Sequence, residues 1–187
     1  VPAYRGKIPM VIKNTNNPKH PGTKIVLNHT DENVKVVGIA GDSGFVSINT
    51  TKYLMNREVG FGRKLLQILE DLNISWDHMP TGIDDLSVIL RSKELTPIKE
   101  QEILKHLIQD LQVDYAEIEH DLSIIMIVGE NMKNQIGVTA TATKALSENN
   151  INIQMISQGS SEVSIMFVVN QEQEKQAIKA LYNVFFN

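Results

Sequence analysis

Gly60, Gly62 and Asp77 are the residues of this chain best suited to chemistry. The two glycines stand where a loop runs into a helix, so the backbone there allows close approach of a ligand. The free N–H groups of a helix start favour an anion such as a carboxylate. Asp77 follows Ile74, Ser75 and Trp76 on a strand-like run beside that helix start, and its carboxylate suits an ammonium group. Together the two ends describe a free amino acid. The plainer alternatives are glycines that serve tight packing and an Asp on the solvent face of its strand. The stretch GFGRKLLQILEDLNISWDHM (60–79) returns as GVTATATKALSENNINIQMI (137–156), after a shift of 77 residues with no gap. Gly137 then takes the place of Gly60, and Gln154 that of Asp77. Gln154 is neutral but both donates and accepts. Asn152 precedes it on the same strand face, so both suit a polar ligand. Glu162 matches Asp85 at the start of the following strand, where a solvated turn acid is the simpler reading. Trp76 reads as packing rather than as a stacking platform.

Other chemistries find little support. His20, His29, His78, His106 and His120 show no metal-ligand spacing such as HExxH. Gly159–Ser161 lacks the strand–GxSxG–helix setting of a nucleophile elbow. No phosphate-loop or dinucleotide glycine pattern is present. The absence of cysteine removes disulfides, thiolate metal sites and cysteine catalysis, and fits a cytoplasmic location. No apolar run approaches the roughly 20 residues that span a bilayer, so no membrane partner is expected.

The elements that must position these residues follow from hydrophobic period. Ile8–Ile12 and Lys24–Leu27 are strand-like, with the loop NTNNPKHPGT between them. Asn28–Asn33 reads as a polar hinge. Val34–Ala40 is strand-like, 41–44 (GDSG) a turn, and Phe45–Thr50 an alternating strand. Phe61, Leu65, Ile68, Leu69 and Leu72 share one helical face, with Asn73 as C-terminal cap. Ile74–Met79 and Leu86–Leu90 are predicted strands. Thr96-Pro97 starts a helix whose stripe is Ile103, Leu104, Leu107, Ile108 and Leu111. Tyr115–His120 and Leu122–Val128 are strands on either side of Asp121. Then come a helix over Val138–Asn149, strands over Ile151–Ile156 and Ser161–Val169, and a helix over Gln171–Val184. The order ββαββαββαββα with a 77-residue period predicts two α+β, ferredoxin-like βαββαβ modules lying side by side. Residues 44–120 supply all six elements of one module. Residues 121–187 lack a last strand, and residues 34–41 supply it, so the first module is inserted in the second.

Residues 1–30 hold five basic residues and no acid, whereas the whole chain of 187 residues carries a net charge of -4. A basic strip could hold nucleic acid. With only 5% aromatic residues and no RNP-like aromatic strand, the expectation is no nucleic acid and a basic edge of another body that handles an anionic substrate. The Val-Pro start, with Met10 the first methionine, reads as a piece of a longer protein.

The runs RGKIPMVIKNTNNPKHPGT (5–23), KYLMNREVGFGRKLLQILEDLNISWDHMPTGID (52–84) and NNINIQMISQGSSEVSIMFVV (149–169) make the chain resemble the regulatory part of aspartate kinases, with tandem ACT domains. The resemblance implies that residues 1–30 are the remnant of a kinase catalytic domain plus connector. It implies feedback sensing of lysine, threonine or both, and a homodimer through the ACT modules. ATP and Mg would belong to the catalytic domain, with no cofactor and no catalytic residue in this fragment. The effector residues it implies are Met55, Val59, Gly60, Phe61 and Gly62 at the first helix start, with Trp76 and Asp77 on the strand. From the second module come Thr139, Asn152, Ile153, Gln154, Ser161 and Glu162. Asp77 would take the amino group and the backbone at 60–62 the carboxylate. Val59-Gly60-Phe61 stands where many members have Pro-Gly, and PTGIDD replaces a shorter T-S-E turn. A structural dimerisation module with empty pockets is the competing reading.

Overall fold

The computed structural model describes residues 2–25 and 35–187. At the N-terminal end are a short helix α1 (Pro2–Arg5) and an exposed antiparallel pair, β1 (Met10–Ile12) and β2 (Thr23–Ile25). The predicted hinge at 28–33, and Val34 at the head of its predicted strand, lie outside the described residues.

The main body is a five-stranded antiparallel sheet in the order β4-β3-β5-β7-β6. Its two longest strands are β3 (Gly38–Thr51) and β5 (Tyr115–Val128). Each merges two of the predicted strands into one. The predicted turn at 41–44 is therefore strand, with Asp42 opposite Ile124 and Ser43 opposite Ser123. Composition suggested a turn; pairing with β5 overrode it, because ladder hydrogen bonds outweigh weak local propensity. The strands do break register where β3 gains β4 as a second partner: the ladder with β5 slips between Ser43 and Phe45 and again before Ser47. Gly44 (φ 81°) and Asp121 (φ 57°) sit at that break in left-handed geometry. This double bulge shifts the two-residue alternation by one. Before the break in β5, Ala116 and Ile118 face helices; after it, Ile125 and Ile127 do.

The break divides two modules. β3 beyond Gly44, β4 (Asp85–Arg91), the first part of β5 and helices α2 (Phe61–Asp71) and α3 (Pro97–Gln109) enclose one core around Ile48, Leu65, Leu69, Val88, Ile103 and Leu107. The second part of β5, β6 (Met155–Gln158), β7 (Ser164–Asn170), α4 (Val138–Glu148) and α5 (Glu174–Phe186) enclose another, around Ile127, Leu146, Phe167 and Leu181. The N-terminal part of β3 runs along the second module beside β5, and Gly41 lies under Ile178 and Glu174 of α5. The fold is thus two ferredoxin-like modules, the first inserted in the second. Phe45, Ile89, Leu122, Ile124 and Val168 form a third cluster from residues of opposite parity, and it joins the two cores at the seam.

Helix boundaries follow local chemistry. Thr96 Oγ1 accepts from the Lys99 N–H, and Pro97 opens α3. Both repeat helices end alike: Asn73 and Asn150 adopt left-handed geometry, and the Ile74 and Ile151 N–H groups donate back to Leu69 and Leu146 at 2.9 and 3.0 Å. These are Schellman motifs. Ile108, a member of the predicted stripe of α3, is instead exposed.

Three predicted strands change. Ile74–Met79 forms no regular strand. Asp77 and His78 both donate to the Ile89 carbonyl, at 2.8 and 3.3 Å, so two residues face one, and Pro80 has no N–H to continue the ladder. Ile151–Gln154 is irregular and β6 starts only at Met155. Ser161 and Glu162 lie in a turn before β7, Glu162 with φ 57°.

Candidate functional site

Gly60 caps α2 with φ 80°, a conformation that strains any L side chain. The loop before it is pinned by charge. Glu58 accepts from Lys52 and Lys64, both at 2.6 Å. These hydrogen bonds hold its carboxyl below the ordinary carboxylate range. Lys52 also donates to the Leu111 carbonyl at 2.6 Å, which anchors the loop to the end of α3. Met55 and Phe61 are buried and fasten the loop and helix start to the first core. Gly62 meets open space where a Cβ would stand, so nothing in the packing demands glycine there.

A cavity of about 270 Å³ opens against this helix start. Met55, Gly60, Phe61 and Gly62 line one side; Thr81, Gly82, Ile83 and Asp85, from the turn that leads into β4, line the other. The Asp85 carboxylate sits against Gly82, where an added side chain would collide with it. Among the described residues no hydrogen bond or ion pair engages that carboxylate. A helix N-terminus on one wall and a free carboxylate on the other can hold a molecule carrying both a carboxylate and an ammonium group.

Val59 points away, 95% exposed. Asp77 does not line this cavity. It lies in the irregular segment beside the far end of β4, with its carboxylate 3.9 Å from Arg91 Nε. Trp76 lines a different, open groove of about 610 Å³ below the C-terminal end of α2, with Leu66, Glu70 and Glu94.

The second module spreads its candidates more widely. Gly137 caps α4 with φ 93°, and Thr139 donates to Gln158 Oε1 at 3.3 Å. Asn152 is exposed and Ile153 packs on the second core. Gln154 donates to Glu119 Oε1 at 2.7 Å across the seam, and its own Oε1 is buried without a partner. Gln154, Glu119, Asn49, Ser87 and Asp85 line a polar cavity of about 390 Å³. Thr81, Gly82 and Asp85 wall both this cavity and the one at α2. Ser161 is exposed, and Glu162 accepts from the Asn134 N–H at 2.7 Å. The site residue that spacing missed is Asp85. Its signal was the Asp84-Asp85 pair at a strand start, one acid of which keeps an oxygen buried. Among the described residues no three His, Asp or Glu side chains gather as a metal site, and no helix is long and apolar enough to cross a membrane.

Residues 125–185 match the ACT domain family. The chain is 51% identical over 186 residues to Aspartokinase 3 of Bacillus subtilis (strain 168), a match that covers all of this chain and 41% of that protein. The aspartate kinase of Clostridium acetobutylicum superposes with a TM-score of 0.90 at 38% identity, over 98% of this chain and 43% of that one. The regulatory subunit of aspartate kinase from Thermus flavus shares the fold, with a TM-score of 0.70 at 21% identity over 81% of this chain and 99% of its own. The chain therefore spans less than half the length of the full aspartokinases it matches. With its two modules joined through shared strands, it belongs with the aspartokinases, as a region of them that carries an ACT domain.

Proposed function

We propose that this region binds a free amino acid, lysine or threonine, and passes its presence as feedback inhibition to an aspartate kinase catalytic domain. The observation that carries the reading is the cavity at Gly60–Gly62 with the free Asp85 carboxylate opposite. The helix start takes the α-carboxylate. Asp85 takes the ammonium end in place of Asp77, whose carboxylate faces the Arg91 guanidinium. The Clostridium acetobutylicum relative is an important allosteric enzyme, which supports the regulatory role. Residues 1–30 are then the edge of the catalytic domain. ATP and Mg are bound by the parent enzyme outside this chain, where aspartate is phosphorylated. The region works as a homodimer. The outer edge of 74–83, with Trp76 and Ile83 exposed, offers a second copy an unpaired sheet edge.

Feedback needs an effector that binds one enzyme state better than another, but binding comes first. Calorimetric titration with lysine, threonine and methionine is the test. Heat with lysine or threonine, lost in Asp85→Asn and kept in Asp77→Asn, is the expected result. Silence with all three at millimolar concentration would leave only a dimerisation module.

A further inference from the structure

We infer that Arg91 is a positioning residue that couples the segment walling the effector cavity to the seam between the two modules. Arg91 ends β4, opposite Phe45 at the break of β3. Its guanidinium lies over the Phe45 ring, 4.1 Å from the centroid. Nη2 donates to Asp42 at 2.7 Å, while Nε is 3.9 Å from Asp77. The two carboxylates stand on opposite sides of the seam. Asp42 belongs to the part of β3 before Gly44, which pairs only with the second module's part of β5. Asp77 belongs to the irregular edge segment of the first module.

That edge segment leads directly from Asp77 to Thr81–Ile83, the cavity wall. It is held to β4 by few backbone bonds, mainly those of Asp77 and His78 with Ile89 and of Pro80 with Ser87. On the other side, Asp42 adjoins Gly41, which packs under α5, and Gly44, whose N–H donates to Gln171 Oε1 at 3.1 Å. One guanidinium thus serves two competing carboxylates, and in this structure it closes on Asp42. The short bond holds the Asp42 carboxyl below the ordinary range and raises the Arg91 guanidinium above its own. The stacked Phe45 ring restricts the guanidinium to a swing between the two acids. A shift of the second module about the bulge carries Asp42 away from β4 and hands Arg91 to Asp77. A shift of the cavity wall does the reverse.

The coupling stands apart from the identity of the effector, so it is read without one. Amide hydrogen exchange on the intact chain would compare wild type with Asp42→Asn, Asp77→Asn and Arg91→Gln. In Asp42→Asn the freed Arg91 closes on Asp77: the Asp77 and His78 amides exchange more slowly and the Gly44 amide faster. Asp77→Asn gives the opposite pattern, slower at Gly44 and faster at Asp77 and His78. Each change is roughly two- to five-fold, the range of an exposed ion pair. Arg91→Gln speeds exchange at both places and makes a further Asp42→Asn silent. A passive structural pair would loosen only its own neighbourhood. Local loosening in each variant with no gain across the seam, or an Asp42→Asn effect that survives in the Arg91→Gln background, would overturn the proposal. Loss of effector binding with the reciprocal pattern intact would instead fault the amino-acid site.

Discussion

Single residues separate structure from ligand at this site. Gly62 lies in the first turn of α2 with open space at its Cβ position. Gly62→Ala should raise stability by about 0.5–1 kcal/mol, the helix penalty of glycine, while its methyl group crowds the cavity mouth and weakens the effector. Thermal melts and calorimetry on one sample would show the two effects diverging; equal effects would mean Gly62 serves only the helix. Asp85→Asn should cost roughly ten- to a hundred-fold in affinity, the worth of a hydrogen bond to a charged group, and leave the melting temperature unchanged because no partner is lost. His78 supplies a pH signature. It is half-buried with Nε2 unpartnered, and desolvation pushes its pKa below the ordinary 6.5. The unfolded chain therefore binds the proton first. Stability should hold above about pH 6.5 and fall as pH drops below it. Denaturant titrations of His78→Asn against wild type across that window should show the slope flatten in the variant.

At the scale of elements, the break in β3 and β5 does most to shape the molecule. One-residue slips at Gly44 and Asp121 allow two helix-covered modules to share two strands and still present apolar residues to their own helices. Gly44 has φ 81° and room for a Cβ, whose nearest neighbour would be Ser92 Oγ at 3.6 Å. Gly44→Ala should therefore cost about 1–2 kcal/mol through backbone strain alone. A larger loss in chemical denaturation would mean that the substitution disturbs the ladder itself. The edge segment 74–79 shows the converse: an apolar run that sequence pattern reads as strand becomes irregular because Pro80 and the doubled donation to Ile89 end the pairing.

Across the whole molecule, shared strands and the joint cluster at Phe45, Ile89, Leu122, Ile124 and Val168 tie the modules into one cooperative unit. Heat should unfold the main body in a single transition, with calorimetric and van't Hoff enthalpies equal. Two resolved transitions would show that the seam is weaker than the cores. Leu122→Ala, at a fully buried seam position, should destabilise by about 2–5 kcal/mol and still leave one transition. The proposed coupling through the seam would give effector binding in one module a route to the other, a route that shared backbone alone leaves unspecified.

By itself the sequence determined the repeat, the helices and their ends. Hydrophobic period, the Thr96 cap and the Asn73 cap are local signals, and local signals survive folding. It also carried the family resemblance and the glycines at the helix starts. Tertiary structure alone decided that four predicted strands would be two, because residues 41–43 found partners in β5. It decided too that Asp77 would stand beside Arg91 while Asp85 stayed free at the cavity. Whether a carboxylate is paired depends on what lies across space from it, and Arg91, far from both Asp42 and Asp77 in the chain, is placed by the sheet.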